Sequence, residues 1–163
     1  MCVFETLPCI DFDENFSSPE AALRAVHDDA VAQRLPFAYV LLDSWWYYKG
    51  VGGGVKNWTA RPDAFPHGLS AFTAATGWPV VGHNRYWASD TTYAKQNGGD
   101  YSFVVEPARQ KALPTEQRFW DDLMASSKAW GLTVYEQDWL HNEVTTPAEL
   151  NPVWTCRRQP TAS

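Results

Sequence analysis

The sequence predicts an α/β protein, a partial (β/α)8 TIM-barrel-like fold covering roughly the first half of the barrel. Three observations carry that prediction. Amphipathic helical stretches alternate with short, almost continuously apolar runs; the connections before those runs are short; the connections after them are long and polar. Continuous apolarity marks strands buried on both faces, as in a parallel sheet covered by helices. Helix–strand alternation then calls for parallel strands with right-handed crossovers. Long connections after the strands are where such barrels build their active sites.

Residues 1–16 read as an irregular N-terminus. Ser17-Ser18-Pro19-Glu20 has the form of a capping box with Pro in the first turn, and introduces a helix to about Arg34. Leu23, Val26, Ala30 and Val31 give that helix one apolar stripe. Pro36 closes it, and FAYVLLD follows as the first strand, ending at Asp43. A segment rich in Gly and Trp then reads as a loop to Phe65-Pro66. The second helix, HGLSAFTAAT, stops at Gly77, a natural C-cap. WPVVGHNRYW is the second strand, ending near His83, Asn84 and Arg85. Another polar loop carries Asn97-Gly98-Gly99-Asp100 and an extra strand, YSFVVE. Pro114-Thr115 starts a third helix that turns Phe119, Leu123 and Trp130 inward and is capped by Gly131. LTVYEQDWL, residues 132–140, is the third strand.

Residues 17–140 are thus three α-β units, and 141–163 an incomplete or divergent tail in which Thr146-Pro147-Ala148-Glu149 is a candidate start of a fourth. A full barrel takes ~250 residues. The 163 residues here suit one domain with one core. A small open sheet of flavodoxin type is the alternative, although it usually needs five strands.

Apolar and charged fractions of 45% and 20% are those of a soluble globular protein. Nine Trp stand out. Plain packing is the simplest account of so many aromatics, but Trp45, Trp46, Tyr47, Tyr48 and Trp58 lie among glycines and polar residues. That placement suits a surface that receives sugar rings. A formal charge of −6 with no basic cluster argues against a nucleic-acid partner. No apolar run approaches membrane-spanning length, and Met1 is not followed by a signal segment. Cys2, Cys9 and Cys156 support neither a disulfide framework nor a zinc knuckle. Asn15-Phe-Ser17 and Asn57-Trp-Thr59 fit the glycosylation pattern, which matters only in a secreted chain, so the compartment stays open. No cofactor is expected: Gly52-Gly53-Gly54 lacks the Lys-Ser/Thr of a phosphate loop. Asp11-Phe-Asp13 is a weak hint of a metal–sugar-nucleotide site, while His27, His67, His83 and His141 show no metal-ligand spacing.

Asp43, His83 with Arg85, and Glu136 with Asp138 end successive strands, so parallel strands would deliver them to one cleft. Carboxylates, hydrogen-bonding groups and aromatics around a pocket are what glycoside hydrolysis needs. Glu136 and Asp138 share a strand face, ~6.5 Å apart at the backbone. Their side chains run side by side, which does not suit the acid and the nucleophile of one reaction.

LLDSWW, then a Trp and FPHGL, then GHNRYW, then YEQDWL resemble the catalytic barrel of the glycoside hydrolase clan that contains α-galactosidases, raffinose synthases and related α-glycosidases. The resemblance spans roughly residues 37–140 and implies retaining hydrolysis of α-glycosidic bonds in an oligosaccharide or glycoside. Position by position, it implies Asp138 as the nucleophile, Asp43 as a ligand of sugar hydroxyls and Trp46 as a subsite wall. Phe65, Pro66 and Gly68 match a structural turn. Trp45, Trp58, His83, Arg85 and Glu136 complete the expected substrate-binding set. Two positions depart from the clan: Ser44 stands where a second acid is usual, and Glu136 where Lys is common. The clan's acid/base comes from a later strand, and this chain offers no candidate for it, which leaves open whether the chain alone is an enzyme. Two other readings compete: a non-catalytic carbohydrate-binding or degenerate barrel remnant, and a metal-dependent hydrolase using Asp43, His83 and Asp138.

Overall fold

The computed structural model describes residues 16–140. Helix α1 runs from Pro19 to Ala32, and its N-cap is Ser18, whose hydroxyl accepts from the Ala21 N–H at 3.2 Å. The cap falls one residue after Ser17 because Glu20 does not turn back to close a box. Its buried carboxylate instead accepts from the Arg24 guanidinium, at 2.8 and 3.0 Å, and from the His67 N–H at 3.0 Å. This carboxylate ties α1 to the turn that precedes α2 (Leu69–Thr76). In α1 itself, Ala30 is buried and Leu23 packs against the core, but Val31 faces solvent.

Helix α2 buries Leu69 and Phe72 and ends as expected. Gly77 adopts φ 67°, the left-handed conformation that glycine tolerates best, and its N–H caps Thr73. Strand β1 is only Val40–Leu42, shorter than the apolar run around it, and Phe37 and Tyr39 are exposed. It pairs in parallel with β4 (Val80–Asn84), which pairs in parallel with β8 (Leu132–Gln137). The order in this sheet is β1-β4-β8. Helix α3 (Gln117–Lys128) leads into β8 and buries Phe119 and Leu123.

The segments expected as long loops are not loops. They fold into β2 (Tyr47–Lys49), β3 (Val55–Ala60) and β7 (Lys111–Pro114); β6 (Phe103–Glu106) is the expected extra strand YSFVVE, and β5 (Trp87–Ala88) starts at the last residue of the expected second strand. These five make a second, mixed sheet in the order β2-β3-β5-β7-β6, with β3 and β5 parallel and the other pairs antiparallel. Pro114 ends β7 there and does not start α3.

The expectation of a partial (β/α)8 barrel is therefore corrected. A barrel passes from each strand through a helix to the next strand of one closing sheet. Here β2 and β3 intervene between β1 and α2, and β5, β6 and β7 between β4 and α3. Among the described residues the fold is mixed α/β with three α-helices and two sheets, one parallel and three-stranded, one mixed and five-stranded. The expected fourth unit and tail lie outside the described residues.

Tryptophans join the two sheets. Trp46 and Trp58 pack edge-to-face at 5.2 Å, and Trp130 approaches them at 5.7 and 6.0 Å. The Trp58 ring lies against β4 at Gly82, where an added Cβ would stand 3.1 Å from it and 2.9 Å from Leu132. Glycine is needed at that position for close approach. A second cluster sets Trp87 against Tyr93, Phe103, Phe119 and Trp120. Edge-to-face geometry suits the positive rim and negative face of aromatic rings.

Candidate functional site

The carboxyl ends of β1, β4 and β8 lie side by side because these strands are parallel and, past a register shift after Val80, pair residue for residue. Leu42 pairs with Gly82, and His83 pairs with Glu136. Asp43 therefore leaves β1 beside His83, and Asp138 leaves β8 just beyond it. The structure brings three of the expected residues together at this edge.

His83 is the centre, with a side chain only 4% exposed. Its Nε2 lies 3.3 Å from Asp138 Oδ2, the outer range of a hydrogen bond. Its Nδ1 lies 3.4 Å from the Tyr47 hydroxyl and 3.7 Å from Asp43 Oδ1. The latter distance is an electrostatic contact and not a hydrogen bond. With its proton on Nε2, the ring donates to Asp138 and accepts from Tyr47. Trp58 holds the backbone behind it, its indole N–H donating to the His83 carbonyl at 2.9 Å.

The two aspartates differ in setting. Asp43 is 14% exposed and caps its own turn, accepting from the Ser44 N–H. Ser44 Oγ in turn accepts from Lys49 at 3.2 Å. Asp138 is 57% exposed. Its Oδ1 accepts from the Trp139 N–H at 2.7 Å, so each carboxylate oxygen has one donor and keeps further lone pairs toward solvent. The turn that presents it is clamped to β4. The Asp138 N–H donates to the Asn84 carbonyl, and Gln137 Nε2 donates to the carbonyls of Arg85 at 2.7 Å and Asp138 at 3.0 Å. A carboxylate held from two sides and open on the third can act as a nucleophile or receive sugar hydroxyls.

The remaining expected residues divide. Glu136 lies on the strand beside His83, with Oε2 buried and no hydrogen-bond partner for that atom. Arg85 stacks on the Trp139 ring, 4.1 Å from its centroid, and so belongs to the same edge. The three tryptophans expected to bind substrate do not line it. Trp46 and Trp58 are 0% and 2% exposed and lie in the core. Trp45 is stacked on Phe65 at 5.7 Å, partly buried against the core. The physical reason is the second sheet: Trp58 points inward from β3, and the turn that leads into β2 carries Trp46 into the core beside it. Tyr47, expected only among the surface aromatics, instead contacts His83, and Gln137 and Trp139 join the site without having been expected there.

Asp43 and Asp138 approach opposite nitrogens of one imidazole, so the three side chains do not converge on a point. Among the described residues no group of three or more His, Cys, Asp or Glu is arranged to hold a metal ion. No helix of the described residues is long and apolar enough to cross a membrane. No protein-family model matches the chain, and no curated protein matches it in sequence.

Proposed function

We propose that the chain is a glycoside-hydrolase-like protein that cleaves α-glycosidic bonds of an oligosaccharide or glycoside with retention, using Asp138 as nucleophile. The observation that carries this reading is the Asp138 carboxylate, solvent-open yet gripped by His83 Nε2 and the Trp139 N–H at the carboxyl edge of parallel strands. The reading rests on this site and not on a barrel.

In the first step an Asp138 oxygen attacks the anomeric carbon, the bond to the leaving oxygen breaks, and that oxygen leaves as an anion that takes a proton from solvent water. In the second, water attacks the same carbon, the bond to Asp138 breaks and returns it to a carboxylate, and the water's surplus proton passes to solvent as the sugar leaves. His83 keeps the carboxylate aimed, and Asp43 and Arg85 offer polar contacts to the sugar. A 4-nitrophenyl α-glycoside supplies a leaving group that needs little protonation, so it tests the nucleophile alone. Asp138→Gly should abolish release of nitrophenol, and added azide should restore that release while the sugar leaves as a glycosyl azide of inverted configuration. Full turnover by Asp138→Asn would overturn the assignment.

One observation favours a second reading, carbohydrate binding without turnover. Among the described residues the carboxyl groups beside Asp138 are Asp43, which reaches it through His83, and Glu136, on the same strand. Neither is set on the far side of a bound sugar to protonate its leaving oxygen. Calorimetric binding of oligosaccharides with no release of reducing sugar would select this reading.

A further inference from the structure

We propose that Trp139 is the platform on which a sugar ring lies beside Asp138; this deepens the carbohydrate reading and rests on it. Strand β8 ends at Gln137, and two residues later the chain adopts φ 57° at Trp139. That is the left-handed region, where a Cβ crowds the following carbonyl and Gly or Asn is favoured. Neither the turn nor the core accounts for an indole here. The turn would form more readily with a smaller residue, and the ring is half-buried at the surface, outside the core cluster. Bulky residues held in such a conformation point to function when their surroundings enforce it.

The surroundings do enforce it. The Trp139 N–H is committed to Asp138 Oδ1 at 2.7 Å, and Gln137 fastens the Asp138 carbonyl. The Arg85 guanidinium lies 4.1 Å from the centre of the indole, and the Tyr86 ring flanks it at 6.4 Å. One turn thus fixes an apolar plate and a charged carboxylate next to each other. A pyranose presents that same pairing, a flat C–H face that packs on an aromatic ring and hydroxyls at its rim that donate to a carboxylate. Trp46 and Trp58 are sealed in the core, whereas Trp139 is part of the Asp138 turn itself.

The test measures binding and stability together. Trp139→Asn keeps the backbone N–H that Asp138 needs and tolerates the left-handed turn. The probes are methyl α-D-glucopyranoside, methyl α-D-galactopyranoside and maltotriose, titrated by calorimetry against the full chain. The wild type should bind at least one of them. Trp139→Asn should weaken that binding about tenfold or more, with a melting temperature equal to or above that of the wild type. Trp139→Phe, which restores a flat ring, should recover most of the affinity. Wild-type affinity in Trp139→Asn would overturn the platform and leave the carbohydrate reading standing. A lowered melting temperature together with lost binding would assign the indole to packing, and also overturn it. Failure of the wild type to bind any probe would overturn the carbohydrate reading itself.

Discussion

Replacing Trp58 with Phe separates a core tryptophan from a ligand-binding one. The indole N–H donates to the His83 carbonyl at 2.9 Å, and both residues are buried. Phe removes that donor and leaves a buried carbonyl unsatisfied, a loss of about 1–3 kcal/mol. It also shortens a ring packed against Trp46, Trp130 and Tyr135. A partial truncation of this kind adds about 1–2 kcal/mol, below the range for Trp→Ala. The sum is about 2–5 kcal/mol, which for a domain of this size lowers the melting temperature by roughly 6–20 °C. Calorimetric melting and urea unfolding read the stability, and saccharide titration below the lowered transition reads the affinity. The expected result is a large loss of stability with saccharide affinity changed less than about threefold. Unchanged stability with abolished binding would refute the placement of Trp58 in the core and restore it as a subsite wall.

Three further outcomes follow from the structure. Glu20→Ala removes the acceptor of Arg24 and of the His67 N–H; the exposed parts of those partners regain water, so the loss should be about 1–3 kcal/mol by urea unfolding. Burial works to raise the Glu20 pKa, but the hydrogen bonds from His67 and Arg24 and the charges of both outweigh it and hold the carboxyl below its ordinary 4.5. A depressed folded pKa stabilises above the unfolded value and is lost as pH falls through the folded one. The wild type should therefore lose part of its stability below pH 4.5, and Glu20→Ala should lack that component. Gly82→Ala drives a methyl to within 2.9 Å of Leu132 and 3.1 Å of the Trp58 ring, and should destabilise by about 1–3 kcal/mol in the same assay. His83→Gln loosens the grip on Asp138 and should lower kcat on an aryl α-glycoside by about 10²-fold, since misplacing a reacting group by an ångström has effects of that size; an unchanged kcat would show that His83 does not position the nucleophile.

The helices and the three parallel strands were legible because each carries a strong local signal: Pro19 after a serine cap, Gly77 at a C-terminus, the apolar runs around Val40, Val80 and Leu132. Of the second sheet only β6 was, as the run YSFVVE. Its strands are two to six residues long, and a buried residue often neighbours a polar or exposed one, as in VKNWTA of β3. Set among glycines, such runs look like loops, and their tryptophans look like surface rings. Once paired, β3 turns Trp58 inward and the bend before β2 carries Trp46 in beside it, which moved both from the expected site to the core. The polar part of the site was more visible. A residue at the end of a parallel strand has a predictable destination, and Asp43, His83 and Asp138 arrive together for that reason. Trp139 was hidden because alternation along a strand predicts nothing once the chain turns at φ 57°.

The account turns on Asp138 as an exposed, oriented nucleophile. Incubating the full chain with 2-deoxy-2-fluoro-α-glucosyl and -galactosyl substrates that carry a good leaving group, followed by peptide mass spectrometry, tests it most directly. The fluorine slows both steps by destabilising their oxocarbenium-like transition states, and the good leaving group restores the first, so the glycosyl-enzyme accumulates. The account predicts one added fluoroglycosyl group, carried by the peptide containing Asp138 and absent from Asp138→Asn. A label on Asp43 or Glu136, or an unlabelled protein that turns the substrates over, would contradict it.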